Sequence, residues 1–282
     1  MLPVDVAVKG YLIYTPPMDV LLVFVLAIGQ QAALEPVEPV EPVEIEEFLR
    51  TAEVVEHEDI GVGVTRPLRL VLSDGQTTLA ASWKTVDERR PGIVRLADGR
   101  MERNFRDSYT FEIAAYELDK LIGTNLVPVT VERHWRGDAG AVQLWVEGAT
   151  TDFDRRQENI QPPNVLRWNR QFYNIQLFRC MTYDIDYKNA RNTLIDPDWR
   201  LWAIDSSRSF RTKKDLVDDT LEIFSRKVLA NLEALDFDTL KERIGEWISD
   251  DRIRAVLARR DLIVERAGEL AAERGEGAVL VP

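Results

Sequence analysis

The stretch of sequence that most constrains the fold of this chain runs from residue 183 to residue 211. A loop rich in aspartate and asparagine is followed by two short apolar segments, 193–195 and 201–204, with a Pro-Asp turn between them. This pattern predicts a β-hairpin with Asp205 at the end of its second strand. The hairpin would bring carboxylate and amide oxygens together, and hard oxygen ligands of this kind suit Mg²⁺ bound to phosphates. The alternative is a polar loop that caps an ordinary hairpin.

The composition bounds the class of protein. A chain of 282 residues accommodates one large domain or a two-lobed one, and 45% hydrophobic with 30% charged residues is the balance of a soluble globular protein. The net charge of -12 argues against a nucleic-acid-binding surface, which needs clustered Lys and Arg. Cys180 is the single cysteine, which excludes an intramolecular disulfide, and two histidines, His57 and His134, argue against a histidine-rich metal site.

The N-terminal region, residues 1–34, resembles a leader segment. Residues 20–28 form a compact apolar run followed by small residues, as in a signal peptide, and the run is too short for a transmembrane helix. We therefore expect an exported, periplasmic or membrane-associated protein rather than a cytoplasmic one; the alternative is a disordered or packed N-terminal arm. Residues 35–43 repeat Glu-Pro-Val three times, which predicts an extended polyproline II linker outside the folded domain.

A β-rich N-terminal lobe is predicted over residues 44–148. A short amphipathic helix, 44–55, precedes a series of apolar segments typical of strands, and a second helix interrupts that series. This second helix, 107–123, begins at a capping residue, Asp107 or Ser108, and ends at a glycine. The predicted strands are 69–72, 77–86, 127–133 and 141–146.

Two features of this lobe resemble the phosphate-binding part of a kinase. Gly61 and Gly63 lie in a turn between strands, where glycine lets the backbone approach phosphates closely. Lys84 lies on a later strand, where it would supply a positive charge, and Glu112 in the first turn of the second helix could pair with it. The alternatives are an exposed strand lysine and a solvated acid that the helix dipole favours.

The C-terminal lobe, residues 149–282, is predicted to be helical around the one hairpin. Apolar residues recur at helical spacing in four segments, 166–182, 215–235, 238–247 and 249–274. The predicted fold class is therefore α+β with two lobes, a β-rich N-terminal lobe containing one main helix and a helical C-terminal lobe around a β-hairpin.

The order of the candidate residues along the chain favours a protein-kinase-like fold. Kinases present, in order, a phosphate loop, a strand lysine, a helix glutamate, a catalytic aspartate, a metal-binding asparagine and a metal-binding aspartate. Each residue alone has an ordinary structural explanation, but the whole series on the required elements is difficult to obtain by chance. The matching residues are Gly63, Lys84, Glu112, Asp186, Asn192 and Asp205.

Several segments resemble an uncharacterised bacterial family. They are 103–107 (RNFRD), 111–116 (FEIAAY), 127–133 (VPVTVER) and 192–211. Members of that family look like atypical kinases of the phosphatidylinositol 3/4-kinase, HipA-toxin and secreted casein-kinase types, and many carry signal peptides. The resemblance covers roughly residues 44–281. It implies that Asp186 is the catalytic aspartate, that Asn192 and Asp205 bind the metal, and that ATP and Mg²⁺ are the cofactors.

The catalytic loop departs from the family pattern, in which an Asp-Arg pair precedes the asparagine and the Asp-to-Asn spacing is five. Here Asn192 follows Asp186 by six residues, and Tyr187 replaces the basic residue. Asp184 and Asn189 do have a spacing of five, but the stretch from Asn192 onward fits the family without a gap. A loop with an extra residue can misplace the catalytic carboxylate, and a shift of about 1 Å can cost about 10²-fold in rate.

Two functions from different classes therefore remain open, and a third is less favoured. The first is an ATP- and Mg²⁺-dependent phosphotransferase that acts as a monomer on a protein, lipid head group or small molecule. The second is a catalytically weakened or inactive kinase-like module that binds nucleotide or a partner protein, since the fold does not decide between them. The third is a structural domain with no nucleotide site.

Overall fold

The computed structural model describes residues 42–61, 67–96, 99 and 101–282, and the described elements belong to one unit, Val40–Pro282. The predicted leader, most of the predicted linker and Gly63 lie outside the described residues. The linker prediction extended too far, because Pro42 and Val43 form the first turn of a helix, where a proline without a backbone N–H is well tolerated. No helix in the described part of the chain is long and apolar enough to cross a membrane.

The first half of the described chain consists mainly of strands. In chain order its elements are α1 (Pro42–Thr51), β1 (Glu53–Asp59), β2 (Leu68–Ser73), β3 (Thr78–Lys84), β4 (Asp87–Arg95), β5 (Met101–Ser108), α2 (Tyr109–Ile122), β6 (Thr130–Trp135) and β7 (Asp138–Leu144). Five strands form one antiparallel sheet in the order β1-β2-β3-β7-β6. The inner positions of β2 and β3, such as Leu70, Leu72 and Ala81, are fully buried, so one face of this sheet builds the core.

A second hairpin, β4–β5, is separate from the five-stranded sheet and was not predicted. Most residues of β4 are exposed, and its sequence lacks the apolar alternation that identifies a strand. The ladder shifts register between Arg90 and Ile93, around Gly92, whose backbone has a φ of 83°. Only the end of β5 is buried, where Phe105, Asp107 and Ser108 lead directly into α2.

Helix α2 follows the sequence prediction closely and connects the sheet to the rest of the molecule. Ser108 is its N-cap and accepts a hydrogen bond from the backbone N–H of Thr110, so Ser108 rather than Asp107 caps the helix. Gly123 ends it with a left-handed φ of 72°, which glycine adopts without a steric cost. The apolar side chains of α2, including Phe111 and Leu118, are buried between the sheet and the later helices.

The second half of the described chain is mainly helical. Its elements are β8 (Thr150–Thr151), α3 (Asp152–Gln157), α4 (Val165–Thr182), a 3-10 helix (Ala190–Asn192), β9 (Thr193–Ile195), β10 (Leu201–Ala203), β11 (Phe224–Ser225), α5 (Arg226–Ala234), α6 (Phe237–Ile244), α7 (Asp250–Arg274), α8 (Glu276–Val279) and β12 (Leu280–Val281). Strands β8, β9 and β10 form a small antiparallel sheet, and β11 pairs with β12 in parallel. The predicted hairpin is confirmed as β9–β10.

Two element predictions were wrong. The predicted helix 44–55 ends at Thr51, because the chain from Glu53 on pairs with β2 as a strand. The predicted helix 215–235 begins only at Arg226, since the side chain of Asp218 accepts hydrogen bonds from Thr220 and forms a turn there, and Ser225 caps α5.

Arg259 of α7 is a fully buried arginine that joins distant parts of the chain. Its Nε donates to the carbonyl of Met181 at 2.9 Å, just before the aspartate-rich loop. Its Nη1 donates to the carbonyls of Arg211 and Lys213, just after the hairpin segment. Burial lowers the pKa of Arg259 to about 10, which leaves it charged at neutral pH. One cation of the last long helix therefore satisfies backbone carbonyls on both sides of the candidate site.

Candidate active site

Lys84 and Glu112 form the buried ion pair at the centre of the site. Lys84 is the last residue of β3, and its Nζ donates to Oε1 of Glu112 at 2.6 Å. Glu112, in the first turn of α2, is 1% exposed, and its Oε2 accepts the backbone N–H of Ser206 at 3.0 Å. The predicted contact between the strand lysine and the helix glutamate is therefore present, and the same carboxylate also binds the segment that follows β10.

Asp205 is brought to this ion pair by the β9–β10 hairpin. The ladder ends with Ala203 opposite Thr193, and the N–H of Ile204 then donates to the carbonyl of Asn192 at 3.1 Å. Asp205 turns out of the strand with a left-handed φ of 64°, and its Oδ1 accepts from Lys84 Nζ at 3.1 Å. Half of its side chain, 51%, is exposed, so this carboxylate faces solvent while Glu112 does not.

The electrostatics of this group follow from burial and charge. Burial disfavours the charged form of Lys84, but the carboxylates of Asp205 and Glu112 outweigh it and raise the pKa of Lys84 above its ordinary value. Burial also raises the pKa of Glu112, while Lys84 opposes that change. Lys84 therefore stays a cation across the physiological range, held between one buried and one accessible carboxylate.

Asn192 is the last residue of the 3-10 helix and comes directly before β9, at the end of the hairpin where Asp205 follows β10. The residue is 5% exposed, and its Oδ1 accepts a hydrogen bond from Nδ2 of Asn189 at 2.9 Å. Because the carbonyl of Asn192 also receives the N–H of Ile204, the backbone of the 3-10 helix is fixed to the hairpin. The structure thus places Asn192 opposite Ile204, the residue before Asp205, at the same end of the hairpin.

Two aspartates of the loop have different surroundings. Asp184 is 5% exposed, faces Nε of Arg179 at 3.6 Å and accepts the backbone N–H of Asp186 at 2.8 Å. Burial raises the pKa of Asp184 to about 6. The side chain of Asp186 is 24% exposed and therefore more accessible. Asp184 supports the loop, and Asp186 is the more accessible of the two carboxylates.

The charges of Asp186 and Asp205 both act on Asp184. Burial is the main cause of the raised pKa of Asp184 and the charge of Arg179 opposes it; the charges of Asp186 and Asp205 each add a smaller rise. The loop carboxylate and the strand-end carboxylate are therefore within electrostatic range of the same group.

Arg208 is a site residue that the sequence reasoning missed. Its Nη1 contacts Oδ2 of Asp186 at 3.3 Å, and its Nη2 binds Glu102 of β5. Tyr187 occupies the position where the resemblance implies a basic residue, and the structure supplies a guanidinium to Asp186 from the chain beyond the hairpin instead. The sequence offered one signal, a positive charge three residues after Asp205, but the loop and Arg208 meet only in the folded chain.

The glycine loop is described only in part. Gly61 follows β1 with a left-handed φ of 69°, and its N–H donates to Oδ1 of Asp59 at 2.7 Å, which makes a tight polar turn. Gly63 lies outside the described residues. The binding of phosphates by this loop stays a prediction.

The residues fit a divalent metal bound together with phosphates. Asp205 and Asn192 offer carboxylate and amide oxygens, the hard ligands that Mg²⁺ prefers. Mg²⁺ usually binds to one or two carboxylates, with water and substrate phosphates completing its shell. Within the described residues no group of three or more His, Cys, Asp or Glu side chains could hold a metal by itself.

The antiparallel sheet, the helix α2 and the hairpin with its loop together define a protein-kinase-like fold, and solved structures agree. The structure of Hydra Fam20 with sugar aligns with a TM-score of 0.62 and 13% identity, over 85% of this chain and 91% of that one. The Golgi casein kinase aligns with a TM-score of 0.61 and 13% identity, over 85% of this chain and 77% of that one. Its structure with Mn/ADP bound aligns with a TM-score of 0.60, 13% identity and coverage of 85% and 78%.

These comparisons confirm the predicted fold class and the predicted likeness to atypical casein kinases. No family model matches the chain, and no curated protein matches it. At 13% identity the likeness is one of fold.

Proposed function

We propose that this protein is a phosphotransferase that moves the γ-phosphoryl group of ATP, with Mg²⁺, to an acceptor hydroxyl. The observation that carries the proposal is the single hydrogen-bonded group formed by Lys84, Glu112 and Asp205, which come from a strand, a helix and a hairpin far apart in sequence. A kinase needs these three residue types at one point. The Golgi casein kinase of similar fold is known with Mn/ADP bound, which supports a nucleotide and a divalent metal as ligands.

Lys84 would bind the phosphates of the nucleotide while Glu112 holds it in place. Glu112 is buried and fixed by the N–H of Ser206, so it keeps Lys84 at the cleft when the contact with Asp205 is broken. Asp205 and Asn192 would hold the metal, which, when bound, neutralises charge on the phosphates. The ammonium of Lys84 contacts Oδ1 of Asp205 at 3.1 Å, so a divalent cation would have to compete with it for that oxygen.

Asp186 would orient the acceptor hydroxyl and take its proton. A carboxylate that accepts a proton must be accessible, and Asp186 is more exposed than Asp184. Arg208 would fix the position of Asp186, because its Nη1 contacts Oδ2 of that carboxylate at 3.3 Å.

The competing function is a nucleotide-binding module without useful catalysis. The six-residue spacing between Asp186 and Asn192, and Tyr187 in place of a basic residue, favour it. The contact of Arg208 with Asp186 argues the other way, since it gives the loop a cation that the motif lacks. The two functions share nucleotide binding and differ in phosphoryl transfer.

The test compares three conservative variants. Asp186→Asn should abolish phosphoryl transfer, including slow hydrolysis of ATP, and keep Mg·ATP affinity within about threefold, because the residue acts on the acceptor. Asp205→Asn should lose both, since the metal shields phosphate charge in the ground state and in the transition state. Asp198→Asn is the matched control, because it neutralises an exposed carboxylate in the turn of the same hairpin.

Calorimetry with Mg·ATP and single-turnover transfer of labelled phosphate would measure the two properties. Binding without transfer by the wild type would favour the nucleotide-binding module. Failure of the wild type to bind nucleotide with any divalent metal would refute both functions.

A further inference from the structure

A large cavity of about 1050 Å³ opens beside the aspartate-rich loop, and it is strongly basic. Its walls come from β4 and β5, the loop itself, the segment after the hairpin and the start of α7. Among the residues that the structure describes, two acidic side chains, Glu102 and Asp251, line it together with six basic ones. The chain as a whole has a net charge of -12, so a concentration of positive charge here is unusual for this molecule. The basic side chains are Arg89, Arg103, Arg106, Arg211, Lys213 and Arg252.

The positive charges that line this cavity lie close enough to repel each other. Arg89 and Arg106 are directly opposite each other in the β4–β5 ladder, and like charges at such positions are destabilising. Burial and, after it, the positive charges of Arg211, Arg106 and Arg89 together lower the pKa of Arg252 to about 10. A bound anion would remove this repulsion.

Acidic side chains of the described residues pair with some of the basic side chains that line the cavity, but neutral groups serve others. Arg106 pairs with Asp87, and Arg211 pairs with Glu102. Arg252 donates to the carbonyl of Phe210, a neutral acceptor. The cavity therefore keeps an excess of positive charge directed at a concave space, which is the arrangement that recognises phosphate or carboxylate groups.

The cavity lies on the side of the site where the acceptor would bind. Tyr183 and Ile185, from the loop that carries Asp186, line its wall. The charge of Asp186 acts on Arg211 of the cavity, partly opposing the burial that lowers the pKa of Arg211. Glu102 binds both Arg211 and Arg208, and Arg208 contacts Asp186. An anionic group held by the arginines would thus lie near the carboxylate proposed to orient the acceptor hydroxyl.

We propose that this cavity binds the acceptor, and that the acceptor is a small molecule bearing a phosphate or a carboxylate in addition to its reactive hydroxyl. The assignment as an acceptor rests on the proposed phosphotransferase function. Small-molecule sites typically enclose roughly 300–1000 Å³, which this cavity matches in size and in its concave form. The reaction would move the γ-phosphoryl from ATP to the hydroxyl oxygen, Asp186 would receive the hydroxyl proton, and ADP would leave.

A pair of double variants tests the anion site. Arg89→Gln with Lys213→Gln removes two cavity charges at exposed positions, where the fold should tolerate the change. Arg90→Gln with Lys214→Gln is the matched control, because it removes the same charge from the adjacent positions, which do not line the cavity. Titration calorimetry of the full chain would use inorganic phosphate and gluconate as probes, with glucose as the neutral counterpart of gluconate.

We expect phosphate or gluconate, but not glucose, to bind the wild type, and the tighter of the two to identify the anionic group. The cavity variant should weaken this binding about fivefold or more, since two screened charges together contribute about 1 kcal/mol, while the control changes it less than twofold. Equal loss in both variants, or none in the cavity variant, would overturn the anion site. Tighter, cavity-dependent binding of a serine peptide flanked by glutamates would overturn the small-molecule assignment.

Parallel titration with Mg·ATP separates this proposal from the proposed function. The cavity variant should keep wild-type Mg·ATP affinity, because Arg89 and Lys213 are outside the group around Lys84. Nucleotide binding without anion binding would refute the cavity proposal alone. Cavity-dependent anion binding by a wild type that binds no nucleotide would refute the phosphotransferase and, with it, the assignment of the anion as an acceptor.

Discussion

Asp205→Asn should remove metal-dependent nucleotide binding at almost no cost in stability. The side chain of Asp205 is half exposed, and its contact with Lys84 at 3.1 Å is therefore screened by water. Exposed ion pairs contribute about 0–1 kcal/mol, and Lys84 keeps Glu112 as its partner in the variant. The free energy of unfolding should thus fall by less than about 1 kcal/mol. For a folded unit of this size that corresponds to a decrease in Tm of less than about 4 °C.

Glu112→Gln is the contrasting perturbation of the same ion pair. Glu112 is buried and its two oxygens accept from Lys84 and from the backbone N–H of Ser206, whereas glutamine has one oxygen. One of these donors would lose its acceptor, and a buried Lys84 would lose a full opposite charge. Losses of this kind cost about 2–4 kcal/mol. We therefore expect Tm to fall by roughly 5–12 °C without ligand, and Mg·ATP binding to be weakened but present.

Thermal unfolding followed by circular dichroism, with and without Mg·ATP, would measure both effects in one experiment. Asp205→Asn should unfold near the wild-type temperature and gain no stability from Mg·ATP. Glu112→Gln should unfold earlier and still be stabilised by the ligand. If Asp205→Asn destabilised the protein as much as Glu112→Gln, Asp205 would be a structural residue. If Mg·ATP still raised the Tm of Asp205→Asn, the assignment of Asp205 as a metal ligand would be wrong.

Two further predictions concern residues that support the site. Burial raises the pKa of Asp119 from 3.8 to about 6, so the folded state binds a proton more tightly than the unfolded state, and the contribution of Asp119 to stability is lost as the pH rises through about 6. Asp119→Asn should therefore gain stability relative to the wild type between pH 4.5 and pH 7, by about 2 kcal/mol in urea titrations; an unchanged pH dependence would contradict this. Arg208→Gln should lower kcat with unchanged Mg·ATP affinity, because the cation acts by positioning Asp186. Arg208→Lys keeps the positive charge and should retain part of the wild-type kcat. Equal kcat in both variants would exclude that role.

The elements that the sequence predicted well are those with a local signal. The hairpin around Asp205 could be predicted because apolar triplets flank a Pro-Asp turn, and α2 because Ser108 and Gly123 mark its two ends. The pairing of Lys84 with Glu112 followed from the element types that carry them, although they are 28 residues apart.

The features that escaped prediction depend on contacts between distant segments. The β4–β5 hairpin is polar and mostly exposed, so it lacks the alternation that reveals a strand, yet it supplies Glu102 and three of the cavity arginines. Arg208 meets Asp186 across 22 residues of chain, and no periodicity records such a contact. The basic cavity gathers charges from β4, β5, the segment after the hairpin and α7, which the sequence presents as separate and ordinary surface residues.

The buried guanidinium of Arg259 has a consequence for the order in which parts of the protein can fold during synthesis. The chain emerges from the ribosome from its N-terminus, so the carbonyls of Met181, Arg211 and Lys213 are made well before the arginine that satisfies them. Until then, the segments on either side of the aspartate-rich loop lack the donor that joins them. A nascent chain that already contains both Lys84 and Glu112 therefore still lacks the hydrogen bonds that join the two sides of the loop, and these bonds form only once α7 has been made.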